Sequence, residues 1–307
     1  MRIQNPFSLP PSCVALELVV LLCSAVLLRR TIIAARRGDP HELHVFAAAL
    51  AYGVLMELVS FTFLDNYWHA QFVIMLYRGK LPLYVVALYP LFLHGAHAIV
   101  RRIGLPAWAE PLVVGLAIVL FDAPFDVLGP DARWWSWSST DPNLGARWLG
   151  VPLTSYYWHL AFGAGFALLV RTTQRFVRTP ARALLLAPIV GALTIVLGAI
   201  AFVPFHLLRR VGVSDGANLA LLGAVSVAVL LLGKKRGARE PDRALWLTSL
   251  GYHAFFVIVA VALYARAGVE QAAVKALFVA GATMLSLALR GYALGFRAEG
   301  RARVATG

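Results

Sequence analysis

Apolar stretches long enough to cross a lipid bilayer follow one another along almost the whole chain. A membrane-spanning helix needs roughly 20 mainly apolar residues, and nine stretches meet that requirement. They are residues 12–35, 42–63, 82–101, 106–128, 151–172, 181–207, 215–233, 243–266 and 269–293. Because backbone polar groups inside lipid must bond within their own segment, we predict an all-α polytopic transmembrane helix bundle of about nine helices.

The composition excludes a water-soluble globule and gives no sign of nucleic-acid binding. Only 14% of the 307 residues are charged, whereas a soluble domain usually carries about 25%. The net charge of +13 comes from short clusters of Arg and Lys between the apolar stretches, which is typical of topology determinants that contact anionic lipid headgroups. We therefore predict membrane lipids as partners and no nucleic acid, with the oligomeric state left open.

The basic residues are distributed unequally between the two sides of the predicted bundle. The odd-numbered connections and the C-terminal region hold more than twice as many Arg and Lys as the N-terminal region and the even-numbered connections. Since positive residues stay on the cytoplasmic side, the N-terminus is predicted to lie outside the plasma membrane and the C-terminus in the cytoplasm. The chain is expected to form one transmembrane domain over residues 1–307, with a polar tail at 297–307.

Two parts of the sequence resemble copies of one unit. Each has an acidic residue near a helix end, an aromatic connection, a proline that starts a helix and a terminal arginine. These are Glu57, Pro82 and Arg101 in the first copy and Asp126, Pro152 and Arg171 in the second. Both acid-bearing helices cross in the same direction, so the second and third helices and the fourth and fifth are predicted to form a parallel repeat about an axis along the membrane normal.

Ionisable side chains interrupt the second to fifth apolar stretches. A charged residue at the bilayer centre costs about 2.5–3.5 kcal/mol on insertion scales, so such residues usually face a cavity or a partner. The rise of 1.5 Å per helical residue sets Glu57, Asp122 and His159 at similar depths in the outer half of the bundle, beneath His69. We therefore predict one pocket there. The candidate site region is 42–172, and the helices within 181–293 are predicted to be scaffold.

Acid–base chemistry is the first interpretation of this pocket. A carboxyl group in a site of low dielectric can keep its proton and donate it as a general acid. The predicted catalytic residues are Glu57, Asp122, Asp126 and His159, with the histidine orienting or relaying a proton. The substrate is expected to be an apolar lipid or isoprenoid. It would pack against aromatic residues, which are Trp68, Trp135, Trp137 and Tyr156, although an interfacial aromatic belt also explains the tryptophans.

Two other interpretations fit the same polar residues. Histidine and carboxylate side chains bind zinc, which activates water, and the candidate ligands are His69, His94, His97 and His159. His-x-x-His alone is a weak metal signal, so no cofactor is favoured and zinc is the alternative. The remaining interpretation is structural, with interhelical hydrogen bonds that only fix the bundle.

At these positions the sequence resembles the carotenoid hydratase-like membrane proteins of carotenoid biosynthesis, over roughly residues 50–170. The resemblance rests on Glu57, on "FDAPFDVLG" with Asp122 and Asp126, on "WWSWSS" with Trp135 and Trp137, and on "LGVPLTSYYWH" from Gly150 to His159. It implies cofactor-independent, proton-driven addition of water to a polyene double bond, with acidic residues as proton donors. Thr154 and Ser155 replace the asparagine of that family, and "FDAPFD" replaces an Asp-Pro ending, which indicates a divergent branch.

A second similarity is to the seven-helix ceramidase-like hydrolases, which combine serine, aspartate and three histidines around zinc. The corresponding residue types here are Ser60, Asp65, His69, His94 and His97. The serine-to-histidine spacing and the paired late histidines of those hydrolases are missing. A zinc-dependent membrane lipid hydrolase therefore ranks second as a function, and a non-catalytic lipid-binding or transport protein is the third class.

Overall fold

The computed structural model describes residues 1–233, 242–265 and 270–295, except for the side chains of 270–271 and 287–295. Within these residues the chain forms nine α-helices, which confirms the predicted all-α bundle. They are α1 (Pro11–Arg36), α2 (His41–Val59), α3 (Leu83–Ile103), α4 (Glu110–Asp131), α5 (Leu153–Thr173), α6 (Pro180–Arg210), α7 (Asp215–Leu232), α8 (Arg243–Tyr264) and α9 (Glu270–Gly295). The predicted polar tail at 297–307 lies outside the described residues.

Seven of the helices in the described part of the chain are long and apolar enough to cross a membrane, and these are α1 to α4 and α6 to α8. The α2 span includes a π-helical turn, Ser60–Leu64. The first turns of α5 carry polar residues such as Thr154, Ser155 and His159. In α9 the described apolar part is the shorter Ala272–Ser286. The chain is thus a multi-pass helical protein of the kind that membranes hold.

Two long connections lie at the same end of the bundle and form what we call the lid, residues 65–82 and 132–152. Short antiparallel strands organise the lid and the residues before α1. They are β1 (Arg2–Ile3), β2 (Tyr67–His69), β3 (Ile74–Leu76), β4 (Leu81–Pro82), β5 (Trp135–Trp137), β6 (Arg147–Trp148) and β7 (Val151–Pro152), paired as β1–β3–β4, β2–β5 and β6–β7. The carboxylate of Glu17 on α1 accepts hydrogen bonds from the backbone N–H groups of Val73 (2.7 Å) and Ile74 (3.1 Å). These hydrogen bonds hold the first connection of the lid against α1.

Strands β2 and β5, which come from different copies of the predicted unit, pair with each other in the lid. The opposed residues are Tyr67 and Trp137, Trp68 and Ser136, and His69 and Trp135. This antiparallel pairing is compatible with a two-fold axis between the two copies. Pro82 and Pro152 also occupy equivalent places, at the N-caps of α3 and α5. These correspondences support the parallel repeat that the sequence predicts.

At the end of the bundle opposite the lid, a partly buried ionic network joins α1, α2, α3 and the start of α8. Arg30 bonds both Asp242 and Glu42, and its Nη1 lies 2.8 Å from the Glu42 Oε2 atom. The same Glu42 oxygen lies 2.8 Å from His94 Nε2. Arg102 donates to Asp242 at 3.1 Å. Each carboxylate therefore has two basic partners, as buried charges require.

We expect the stability of the folded protein to fall as the pH drops below the usual aspartate value of 3.8. Burial raises the pKa of Asp242, but the hydrogen bond and the positive charge of Arg30 outweigh burial and lower that pKa overall. The folded state then binds the proton less readily than the unfolded chain. The stabilisation is complete above the usual value and is lost as the pH falls through the lowered pKa.

Thermal melts in detergent at pH 5 and pH 3 measure this loss. The Asp242→Asn variant should show a smaller drop in Tm between the two conditions than the wild type. An identical drop in both proteins would contradict the assignment to Asp242.

Candidate functional site

A cavity of about 510 Å³ lies beneath the lid, between helices α2 to α6. That volume is in the range of sites that hold one small ligand or part of a larger one. Most of its wall is apolar, with lining residues that include Met56, Leu88, Phe92, Ile118, Phe162 and Phe202. Polar side chains lie towards the lid in two groups, one on each half of the repeat.

The first polar group consists of Asp122, Asp126, Ser155 and His159. The His159 Nε2 atom lies 2.9 Å from Asp122 Oδ2 and 3.9 Å from Asp126 Oδ2. Ser155 Oγ donates to Asp126 Oδ2 at 2.8 Å. Ser155 and His159 are four residues apart on α5 and so share one helix face. The imidazole is thus placed within reach of both carboxyl groups, so a proton can pass between these side chains.

The second polar group surrounds Glu57 near the end of α2. Its Oε1 atom accepts hydrogen bonds from the hydroxyls of Tyr67 (2.9 Å) and Tyr89 (2.8 Å). Within the described residues, its Oε2 atom has no hydrogen bond and lies 3.5 Å from His69 Nε2. Burial, followed by the negative charge of Glu57, raises the pKa of Tyr67 well above its usual value, so this hydroxyl remains a donor. The two tyrosine hydroxyls therefore fix the position of Oε1, while Oε2 can accept a hydrogen bond from a bound molecule.

The two polar groups share one feature, a polar side chain that lies seven residues after a helix-starting proline and contacts an acidic residue. Tyr89 follows Pro82 by seven residues, and His159 follows Pro152 by the same interval. Each of these side chains bonds an acid of its own half, namely Glu57 in the first half and Asp122 in the second. Sequence reasoning missed Tyr67 and Tyr89, because a tyrosine in an apolar context is not a signal by itself. The repeat is the signal that finds Tyr89, since it predicts a polar partner at that interval.

The placement of the predicted catalytic residues agrees with their estimated depths. Glu57, Asp122, Asp126 and His159 all line the cavity, and His69 lies beside them in the lid. Their proximity is a property of the fold, whereas their chemical roles stay a prediction.

The predicted aromatic contacts divide into two pairs. Trp135 and Trp137 line the cavity with their rings perpendicular and their centroids 4.4 Å apart. Trp68 is 46% exposed and lies on the opposite side of β2, because alternate residues of a strand point to opposite faces. Tyr156 is buried on another face of α5, where its ring packs beside Trp148. The structure therefore corrects the prediction that Trp68 and Tyr156 contact a ligand in this cavity.

The predicted zinc ligands are divided between two places. His69 and His159 line the cavity. His94 and His97 lie deeper along α3, and each is beside a carboxylate of its own. The separation has a simple cause, since His94 is twelve residues beyond Pro82, or about 18 Å at the helical rise. The four histidines do not form one site, so this ligand set is corrected.

A different trio of side chains lies close enough together to hold a metal ion. In the part of the chain that the structure describes, ligand atoms of Asp122, Asp126 and His159 all lie within 4.8 Å of one another. The residue set of the ceramidase-like hydrolases is not assembled in the same way. Ser60 is a hydrogen-bond acceptor for Tyr67, and Asp65 is exposed at the end of the π-helical turn.

Comparison with known proteins adds a family without a known activity. A family model described as a domain of unknown function (DUF7802) matches residues 3–266. No curated protein and no solved structure matches the chain. The matched region contains the lid and the whole lining of the cavity, so the site lies within the part of the chain that the family shares.

Proposed function

We propose that this chain, which belongs to the DUF7802 family, is a membrane-embedded enzyme that moves protons to and from an apolar lipid or isoprenoid. One observation carries the proposal. Asp122, Asp126 and His159 form a close acid–base group in a mostly apolar cavity inside a multi-pass helical bundle. Burying such a group is unfavourable, and groups of this kind in membrane helices usually serve a function.

The cavity is suited to the addition of water to a carbon–carbon double bond. The Asp122–Asp126 pair would give its proton to one carbon, and a water oxygen would bond to the neighbouring carbon. That water would lose one of its two protons to the Oε2 atom of Glu57, which accepts no hydrogen bond from the described residues, so the product is an alcohol. The ring faces of Trp135 and Trp137 would stabilise the positive charge on carbon between the two steps.

The resemblance to the carotenoid hydratase-like proteins supports this type of reaction. The residues that carry the resemblance include Glu57, Asp122, Asp126 and the two tryptophans, and these line the cavity. No cofactor is needed for such an addition. The substrate class that this interpretation favours is an unsaturated isoprenoid.

A second candidate function follows from the same trio of side chains. Two carboxylates and one imidazole form a ligand set that zinc accepts in catalytic sites, and bound zinc would supply an activated water for hydrolysis of a lipid. Elemental analysis of the purified protein separates the two functions. One zinc per chain, lost in His159→Ala, would favour the hydrolase, whereas a metal-free active protein favours acid–base chemistry.

We also propose that the lid lies on the outer side of the plasma membrane. The distribution of Arg and Lys between the connections supports an external N-terminus and a cytoplasmic C-terminus. The ionic network around Arg30 would then lie at the cytoplasmic end, and the polar end of the cavity would lie near the outer surface.

The double variant Asp122→Asn/Asp126→Asn tests the acid–base proposal. Cells that produce the wild type should contain a reaction product in their lipid extract. We expect the amount of this product to fall by about 100-fold or more in the double variant, since a positioned general acid contributes at least that factor. Mass spectrometry of total lipids and pigments measures the change. Asp131→Asn is the matched control, because Asp131 lies on the same helix but bonds Lys275 outside the cavity.

Unchanged lipid and pigment profiles in the double variant would end the proposal of acid–base catalysis. A lipid that still co-purifies with both the wild type and the double variant would then assign the cavity to binding or transport.

A further inference from the structure

Helices α2 and α6 run in the same direction and come into close contact at Gly191. A Cβ atom at Gly191 would lie 2.7 Å from the backbone nitrogen of Tyr52, so the two backbones touch there. Nearer to the lid the cavity reaches between the same helices. Its lining in this region comprises Val59 and Leu64 on the α2 span and Ile195, Ala199, Phe202 and His206 on α6.

The exposed residues of the lining belong to the α2 span, to α6 and to the lid. Among the described residues that line the cavity, the exposed ones are Leu64, Asn143, Ala199 and His206. Leu64 has 44% of its surface exposed. Asn143 belongs to the lid, and its Oδ1 atom lies 3.5 Å from Arg209 Nη1 near the end of α6. Asn143 therefore bounds this region on the lid side. These residues place the accessible edge of the cavity between α2 and α6, below the lid.

The surface around this opening is apolar. Val196, Ile200 and Val203 are exposed on α6, and Phe63 is 78% exposed on the α2 span. Both helices are candidate membrane spans, and helix faces of this composition contact lipid tails. The opening thus interrupts a lipid-facing surface, and a molecule entering through it comes from the bilayer.

We propose that this opening, bounded by Leu64, Asn143, Ala199 and His206, is a lateral portal for the chain of a membrane lipid. The lipid places its reactive end among the polar groups beneath the lid, while the rest of its chain extends through the portal into the bilayer. A cavity of about 510 Å³ suits a ligand of drug-like size, so a long isoprenoid or acyl chain must extend beyond it. That this lipid is the substrate rests on the proposed function. The route by which the lipid enters the cavity does not depend on that function.

Photo-crosslinking in vesicles tests the portal. The probe is geranylgeraniol bearing a diazirine at its polar end, added to phosphatidylcholine vesicles that contain the full chain. In the wild type we expect crosslinks to cavity residues such as Met56 and Phe162, located by mass spectrometry of the peptides. Ala199→Trp should lower them by roughly tenfold, because an indole is large enough to fill the opening. Leu64→Trp should act in the same way from the opposite side.

Ala192→Trp is the matched control, since Ala192 is also exposed on α6 but does not line the cavity. It should leave the cavity crosslinks unchanged, and crosslinks to exposed α6 residues should be equal in all variants. The proposal of a portal is contradicted if the wild type gives no crosslinks to cavity residues. It is also contradicted if Ala199→Trp and Leu64→Trp give as many of these crosslinks as the wild type. Asp122→Asn/Asp126→Asn should crosslink normally, which separates a failure of the reaction from a failure of entry.

Discussion

Gly115→Leu is expected to prevent the accumulation of correctly folded protein. A Cβ atom at Gly115 would overlap the backbone carbonyl of Leu160 on α5, and a backbone group cannot turn aside as a side chain can. On the facing helix, a Cβ atom at Gly163 would lie 3.1 Å from Gly115 Cα. Small residues let membrane helices approach this closely, so α4 and α5 depend on both glycines.

The same contact sets the geometry of the site. Asp122 is two helical turns beyond Gly115, and His159 directly precedes Leu160. Forcing α4 and α5 apart would therefore lengthen the 2.9 Å approach of His159 to Asp122. Overpacking usually costs about 1–3 kcal/mol, and we expect the upper end of that range or more because the clash is with backbone.

Gly223→Leu on α7 is the matched control for this substitution. A Cβ atom at Gly223 meets nothing within 4 Å, and the change has the same benefit for helix propensity. Fluorescence-detected size-exclusion chromatography and thermal melts in detergent compare the variants. A Gly115→Leu protein that elutes and melts like Gly223→Leu would show that α4 and α5 are not in backbone contact.

The helices could be predicted from the sequence because the bilayer limits the alternatives. A spanning segment must be about 20 residues long and mainly apolar, so its ends are visible as prolines and basic residues. The stretch predicted at 12–35 is the helix Pro11–Arg36, and that predicted at 181–207 is the helix Pro180–Arg210. The lid strands could not be predicted in this way, since they are two or three residues long and depend on partners far along the chain.

The site was predictable where one physical rule sufficed. An ionisable side chain in an apolar helix must face the protein interior, and the helical rise then fixes its depth. This reasoning brings Glu57, Asp122 and His159 to one cavity. It could not exclude Trp68, because the face that Trp68 presents depends on the pairing of β2 with β5.

The arginines show the limit of charge counting. Arg29 and Arg30 are neighbours in sequence, and both contribute to the same basic cluster after the first apolar stretch. In the structure Arg29 is exposed, whereas Arg30 points inward to two carboxylates. Consecutive residues on a helix differ in direction by about 100°, so one can face lipid headgroups or water while the next is part of the interior. The sequence alone did not separate the two.

Arg30→Met is therefore expected to destabilise the protein strongly, although it removes only one of many arginines. Without Arg30, the partly buried carboxylate of Glu42 keeps only His94 among its partners described above, and Asp242 keeps Arg102. Removing one member of a buried ionic group costs about 3–5 kcal/mol, because the remaining charge is left without compensation. We expect the lower end of that range or less, since this group is only partly buried and each carboxylate retains one partner.

Arg29→Met makes the same change in charge and in side-chain chemistry one residue away, at an exposed position. Thermal melts of both variants in the same detergent should show a large decrease in Tm for Arg30→Met and almost none for Arg29→Met. Equal decreases would mean that the cluster acts only through its net charge. A decrease confined to Arg30→Met would show that a residue counted as a topology signal joins α1 to α2 and α8, and so holds together the end of the bundle that lies opposite the cavity.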